Sequence, residues 1–136
     1  MPILIKGRYR ARIAITQSDI RAAQRLRQLA FTPTLAAADT GADIDADQFD
    51  AVFTHVLVEE ATTKRLVCCY RMLPLASGAE VSRSYSAQYY EISALEAYKA
   101  PIVEMGRFCI HPEVKYSVII RVALDALTRY VDEKNI

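Results

Sequence analysis

The run Val103-Glu104-Met105-Gly106-Arg107-Phe108-Cys109-Ile110 constrains this chain most. It has the length and apolar content of a sheet strand, yet carries a carboxylate and a guanidinium in its interior. Desolvating a charge is costly unless it is paired or used, so such a strand belongs where other charges or a reacting group meet it. Pro112 stops the strand, because proline has no amide hydrogen for a ladder bond. Glu104 and Arg107 are therefore the first candidates for chemistry, and the rest of the chain must supply their partners.

The hydrophobic period supplies the frame. From Arg8 to Ile15 the residues alternate, with Arg8, Arg10 and Arg12 on one side and Tyr9, Ala11, Ile13 and Ile15 on the other, which predicts a half-buried strand. Thr16 or Ser18 caps a helix that runs to about Phe31 with Ile20, Ala23, Leu26, Leu29 and Ala30 as its apolar stripe, and Pro33 ends it. Residues 34–48 read as a long loop rich in Ala, Asp, Thr and Gly. Phe53–Glu59 and Leu66–Leu73 form an antiparallel hairpin across Glu60–Lys64. Pro74–Ser86 is a loop, Ala87–Tyr98 a short helix and Val103–Ile110 a strand. Ser117–Val131 is a helix with Ile119, Val122, Ala123, Ala126, Leu127, Tyr130 and Val131 on its apolar side. The order strand–helix–strand–strand–helix–strand–helix predicts one α/β domain over residues 1–136, a mixed central sheet flanked by helices.

The net charge of +1 conceals a division. Residues 1–30 carry seven basic side chains against Asp19, whereas residues 31–60 carry seven acids and neither Lys nor Arg. Separation of this kind either steers partners of opposite charge or marks two faces that attract each other after folding. The Lys6/Arg8/Arg10/Arg12 stripe has no aromatic interleaving, and the acidic middle argues against nucleic acid. No apolar run approaches the roughly 20 residues that span a bilayer, and the N-terminus lacks the form of a signal peptide. Three cysteines, two of them adjacent, make no disulfide framework, so the expected compartment is the cytoplasm.

Asp47-Gln48-Phe49-Asp50 offers a carboxylate cluster suited to an ammonium group, to a divalent cation, or simply to solvent. Arg71, near the end of an apolar strand, either orients a substrate carboxylate or pairs with Glu104 or Asp50 to hold the sheet. His55 and His111 have no metal-ligand spacing relative to Cys68, Cys69 and Cys109, so no metal site is expected and the cysteines read as small core residues. There is no glycine-rich nucleotide-binding pattern.

In order, Arg25-Leu26-Arg27 with Phe31, Asp47-Gln48-Phe49-Asp50, His55-Val56-Leu57-Val58, Tyr70-Arg71-Met72-Leu73-Pro74 and Glu104-Met105-Gly106-Arg107-Phe108-Cys109-Ile110-His111-Pro112 resemble the L-ornithine N-acyltransferases of ornithine-lipid synthesis. These are acyltransferases of the GNAT superfamily. The acyl-homoserine-lactone synthases share the D-x-F-D, R-x-L-P and E-x-x-R-F elements, but typically carry a tryptophan that this chain lacks. The resemblance implies a GNAT-like fold without its C-terminal part, and transfer of a 3-hydroxyacyl group from acyl-carrier protein to the α-amine of ornithine. It implies Glu104 and Arg107 as catalytic residues, and Asp47, Asp50, Arg71 and His111 as substrate-binding residues. Arg8, Arg10, Arg12 and Arg25 would dock the acidic carrier protein. The donor would be its acyl-phosphopantetheine, with no tightly bound cofactor. The family's glycine-rich pyrophosphate loop is absent from Glu113-Val114-Lys115-Tyr116-Ser117, which argues against coenzyme A. Alternatives are an autoinducer synthase using S-adenosylmethionine and a non-catalytic domain that binds a carrier protein or partner chain. A self-associating chain would complete an open sheet edge. A cytoplasmic protein is implied, including one peripheral to the inner membrane.

Overall fold

A computed structural model describes residues 2–31 and 45–136. Five strands form one sheet in the order β1-β2-β3-β4-β5: β1 is Pro2–Lys6, β2 Tyr9–Ile13, β3 Thr54–Glu60, β4 Leu66–Leu75 and β5 Ile102–Ile110. Helix α1 (Gln17–Phe31) links β2 to β3, and helix α2 (Tyr116–Glu133) follows β5. Helices flank the sheet as the sequence predicts, but every strand pairing is antiparallel, so the expected mixed sheet is not found among the described strands. The connections explain this: each returns the chain beside the strand it left, and a parallel neighbour needs a crossover to the same end.

Alternation along β3 and β4 divides the core. Val56, Val58, Cys68, Tyr70 and Met72 face α2, where Ile119, Val122, Ala123, Ala126 and Tyr130 are buried against them. Leu57 and Cys69, with Cys109 of β5, face α1 and pack on Ala23 and Leu26. Because β3 and β4 are covered on both faces, their sequences run almost unbroken in apolar residues instead of alternating. Thr16 caps α1: its hydroxyl accepts from the Asp19 N–H at 3.1 Å, and the Asp19 carboxylate accepts from the Thr16 N–H at 3.3 Å.

Two elements differ from expectation. Pro2–Lys6 is a strand, joined to β2 by a tight turn in which Gly7 takes a φ of +59° that other residues rarely adopt. Ala87–Tyr98 is not an α-helix. The excursion between β4 and β5 is built of short 3-10 turns at Gly78–Arg83, Ser86–Gln88 and Ser93–Ala97. It folds back on itself where the Gly78 N–H reaches the Tyr98 carbonyl at 2.7 Å. A Cβ on Gly78 would lie 1.7 Å from the Leu95 carbonyl oxygen, so only glycine permits that closure. Most of the long loop expected over 34–48 lies outside the described residues.

Candidate active site

Glu104 and Arg107 stand three residues apart, a spacing that sends side chains to opposite faces of a regular strand. A bulge in β5 cancels this. Cys69 pairs with Cys109 and Arg71 with Gly106, so two residues of β5, Arg107 and Phe108, oppose Tyr70 alone. Arg107 takes up the extra length at a φ of +48°. Its side chain joins those of Arg71 and Glu104 around a cavity of about 350 Å³, which Phe31, Phe53 and Tyr85 also line. Phe108 turns to the α2 face and stacks on Tyr70 with ring centroids 5.9 Å apart.

Glu104 is half-buried and receives the backbone N–H groups of Tyr85 and Ser86 at 2.8 and 3.0 Å. It thus ties β5 to the excursion that closes the cavity, and does not pair with Arg71. Arg71 is 1% exposed. Its guanidinium grips Asp47 at 2.6 and 2.9 Å and Asp50 at 2.8 Å, and lies over the rings of Phe53, Phe49 and Tyr85 at 4.9 to 5.8 Å. Arg107 sits over Phe31 and Tyr85 and faces Asp45 and Asp47 at 3.8 and 3.9 Å. The Nε atoms of Arg71 and Arg107 are buried without a hydrogen-bond partner.

Asp47 and Asp50 close a capping box on the 3-10 turn Gln48–Ala51, each accepting a backbone N–H of that turn. Their remaining acceptors are taken by arginine and, on Asp50, also by Gln24. Arg27, buried on α1, chelates Asp50 at 2.7 and 3.0 Å and reaches Asp45 at 3.2 Å, while the Gln24 amide donates to Asp50 at 3.0 Å. The two carboxylates are placed as anchors of Arg27 and Arg71, instead of as free ligands for a substrate ammonium. Burial opposes their ionisation, but the guanidinium of Arg71 at Asp47 and that of Arg27 at Asp50 outweigh it and hold both carboxyls below the usual range. His55 donates from Nε2 to the Asp50 carbonyl at 2.8 Å, and burial lowers its pKa so that it stays neutral. Arg27 is the residue that sequence reasoning missed. Its spacing from Ala23 and Ala30 put a charge on the apolar face of α1, which already signals a buried pair.

The other expected site residues lie apart from this cavity. His111, at the end of β5, accepts the Glu113 N–H on Nδ1 and lines a neighbouring hollow with Phe31 and Phe108. Arg10 and Arg12 both hold the buried carboxylate of Glu59, and Arg12 also clasps Asp19 at 2.9 Å through both terminal nitrogens. That contact raises Arg12 and lowers Asp19 in pKa. Arg8 and Arg25 are exposed. Among the described residues no group of His, Cys, Asp and Glu is placed to hold a metal ion, and no helix is long and apolar enough to cross a membrane.

The profile of the acetyltransferase (GNAT) domain matches residues 26–125, which include β4 with Arg71 and β5 with Arg107 and its bulge. The chain belongs to the GNAT acetyltransferase family. It is 33% identical over 132 residues to the L-ornithine N(alpha)-acyltransferase of Rhodobacter capsulatus, covering 90% of this chain and 51% of that protein. The chain thus spans about half the length of this curated relative. The crystal structure of the AHL synthase LasI superposes with a TM-score of 0.65 at 19% identity, covering 94% of this chain and 68% of that one, a likeness of fold.

Proposed function

We propose that this GNAT chain is an N-acyltransferase core that moves a 3-hydroxyacyl group from acyl-carrier protein to the α-amine of ornithine. The observation that carries the reading is the β5 bulge, which turns Arg107 onto the same cavity as Glu104 and Arg71. Its support in sequence is the similarity to an ornithine acyltransferase over nearly the whole of this chain. In this reading Glu104, directly or through water, takes a proton from the α-ammonium. The free amine attacks the thioester carbonyl and forms the new C–N bond. The oxyanion collects N–H donors from β5, which lies at the edge of the sheet formed by the described residues and leaves its outward amides unused by those strands. Collapse breaks the C–S bond, the nitrogen gives its second proton to the departing phosphopantetheine thiolate, which leaves as the thiol, and Glu104 releases the first proton to solvent. Arg107 and Arg71, each with a free Nε, orient the acceptor's carboxylate. Asp47 and Asp50 serve by holding the arginines in place.

The donor is the acyl-phosphopantetheine arm, since residues 113–117 offer no glycine turn for a pyrophosphate. The acidic carrier docks on basic side chains that pair with no acid among the described residues. Arg8 and Arg121 meet this condition, and with Lys6 they line a hollow between the β1–β2 turn and the start of α2; Arg25 adds to them from α1. Mass spectrometry of the chain incubated with 3-hydroxyacyl-carrier protein and ornithine tests the reading. Acyl-ornithine is the expected product, and Glu104→Gln should slow its formation by about 100-fold or more. Acyl-homoserine lactone formed with S-adenosylmethionine would replace the acceptor. A folded chain that binds the carrier but forms neither product would reduce it to a binding domain.

A further inference from the structure

Cys69 of β4 and Cys109 of β5 are directly opposed across the antiparallel pair, with Sγ atoms 3.4 Å apart and no disulfide between them. A disulfide bond is about 2.05 Å long, so small side-chain movements would join them. The opposition depends on the bulge: without the extra residue at Arg107, Cys109 would point to the α2 face instead of toward Cys69. We propose that Cys69 and Cys109 form a reversible oxidative modification site, a cross-strand dithiol that hydroperoxides convert to a disulfide beside the candidate active site.

Three features make the pair selective. Cys109 is 4% exposed and lines a hollow of about 360 Å³ with Phe31, Phe108 and His111, which gives a small oxidant an approach. The Cys69 thiol can donate toward Cys109, and Arg27 adds positive charge; together they lower the pKa of Cys109 against the opposing effect of burial, while that of Cys69 is raised. Cys109, which borders the hollow, is the attacking sulfur, and Cys69, which does not line it and is more deeply buried, is the resolving one. Cys68, next in sequence, faces α2 in the dry core, where burial pushes its thiol up and no second sulfur meets it.

The chemistry balances with hydrogen peroxide as oxidant. The Cys109 thiolate attacks one peroxide oxygen, the O–O bond breaks, and sulfenic acid and hydroxide form; with the thiol proton this hydroxide becomes water. The Cys69 sulfur then attacks the sulfenic sulfur, the S–O bond breaks, and a second water leaves as the disulfide forms. Peroxide is reduced and the two thiols lose two hydrogens.

The inference is independent of the acyl-transfer reading, because its readout is chemical. The folded chain is treated with hydrogen peroxide, alkylated, unfolded, digested with trypsin and analysed by mass spectrometry. The expected product links the peptide of residues 66–71 to that of residues 108–115 and is separated again by dithiothreitol. Since Cys68 and Cys69 share one peptide, the link should survive in Cys68→Ser and vanish in Cys69→Ser; fragmentation of the wild-type product assigns the sulfur if either variant fails to fold. A link through Cys68 would overturn the proposal. So would Cys109 advancing to sulfinic acid without linking, or thiols that react only after unfolding.

Discussion

Asp50 is the residue on which the charged cluster turns. It accepts from Arg27, Arg71, Gln24 and the Asp47 amide while only 5% exposed. Removing it leaves two buried guanidinium groups with only the part-exposed Asp47 and Asp45 as acid partners, and breaking a buried pair costs up to about 3–5 kcal/mol. Asp50→Ala should accordingly lower the urea midpoint far more than Asp47→Ala, whose side chain keeps about a quarter of its surface in water. Equal losses in the two variants would show that the cluster is solvated and that Asp50 has no special weight. At this scale much could be read from the sequence. Asp50 and Glu104 are the two structural partners that the sequence offers Arg71, beside a substrate carboxylate, and the pairing with Asp50 is the one observed. What could not be read was how completely the acids would be consumed. That depends on Arg27 coming from a different element, and on a capping box that spends acceptor atoms on backbone N–H groups.

Element by element, the strands and helices follow from period and capping, and the departures have local causes. The Pro2–Lys6 strand is too short to show a period, and its signal was the glycine that opens the turn after it. The 87–98 stretch shows apolar spacing without a capped, continuous helix, and the backbone contact at Gly78 shortens it to 3-10 turns. The bulge in β5 leaves no mark on the hydrophobic pattern, since Met105, Phe108 and Cys109 are apolar in either register. It nevertheless decides which face receives Arg107. Two substitutions separate its backbone role from its side chain. Arg107→Gly suits the left-handed conformation and should keep stability within about 1 kcal/mol while removing the guanidinium. Arg107→Val also removes the charge but resists positive φ, and should be less stable than the glycine variant by about 1–2 kcal/mol. Thermal melts of the pair make the comparison. Should valine prove as stable as glycine, the bulge does not reside at Arg107.

Across the whole molecule, the segregated charges of the sequence find each other. Arg10 and Arg12 of β2 meet Glu59 of β3, and Arg27 of α1 meets Asp45 and Asp50, so the basic first segment and the acidic second one neutralise each other internally. Among the described residues of the basic segment, Arg8 and Arg25 have no acidic partner and remain for a partner, which is why a count of charge along the chain overstates its docking surface. The same clamp joins α1, the 45–51 segment, β4 and β5, and it sets how the fold responds to acid. His55 has a folded pKa below its ordinary value of about 6.5, so the unfolded chain binds its proton first. Stability from His55 is complete above about pH 6.5 and declines as the pH falls toward the folded value. Asp19, Asp47 and Asp50 are likewise depressed, so their contribution is complete above about pH 4 and is lost as the pH falls through their folded values. Acid should therefore weaken the fold in two stages. The first lies below about pH 6.5 with a slope of at most about 1.4 kcal/mol per pH unit from one proton, and the second, steeper stage lies below about pH 4. Urea unfolding of the wild type and of His55→Gln at a series of pH values checks this. The variant should lose the first stage and keep the second; a first stage that persists would place the proton on another group and remove His55 from the clamp.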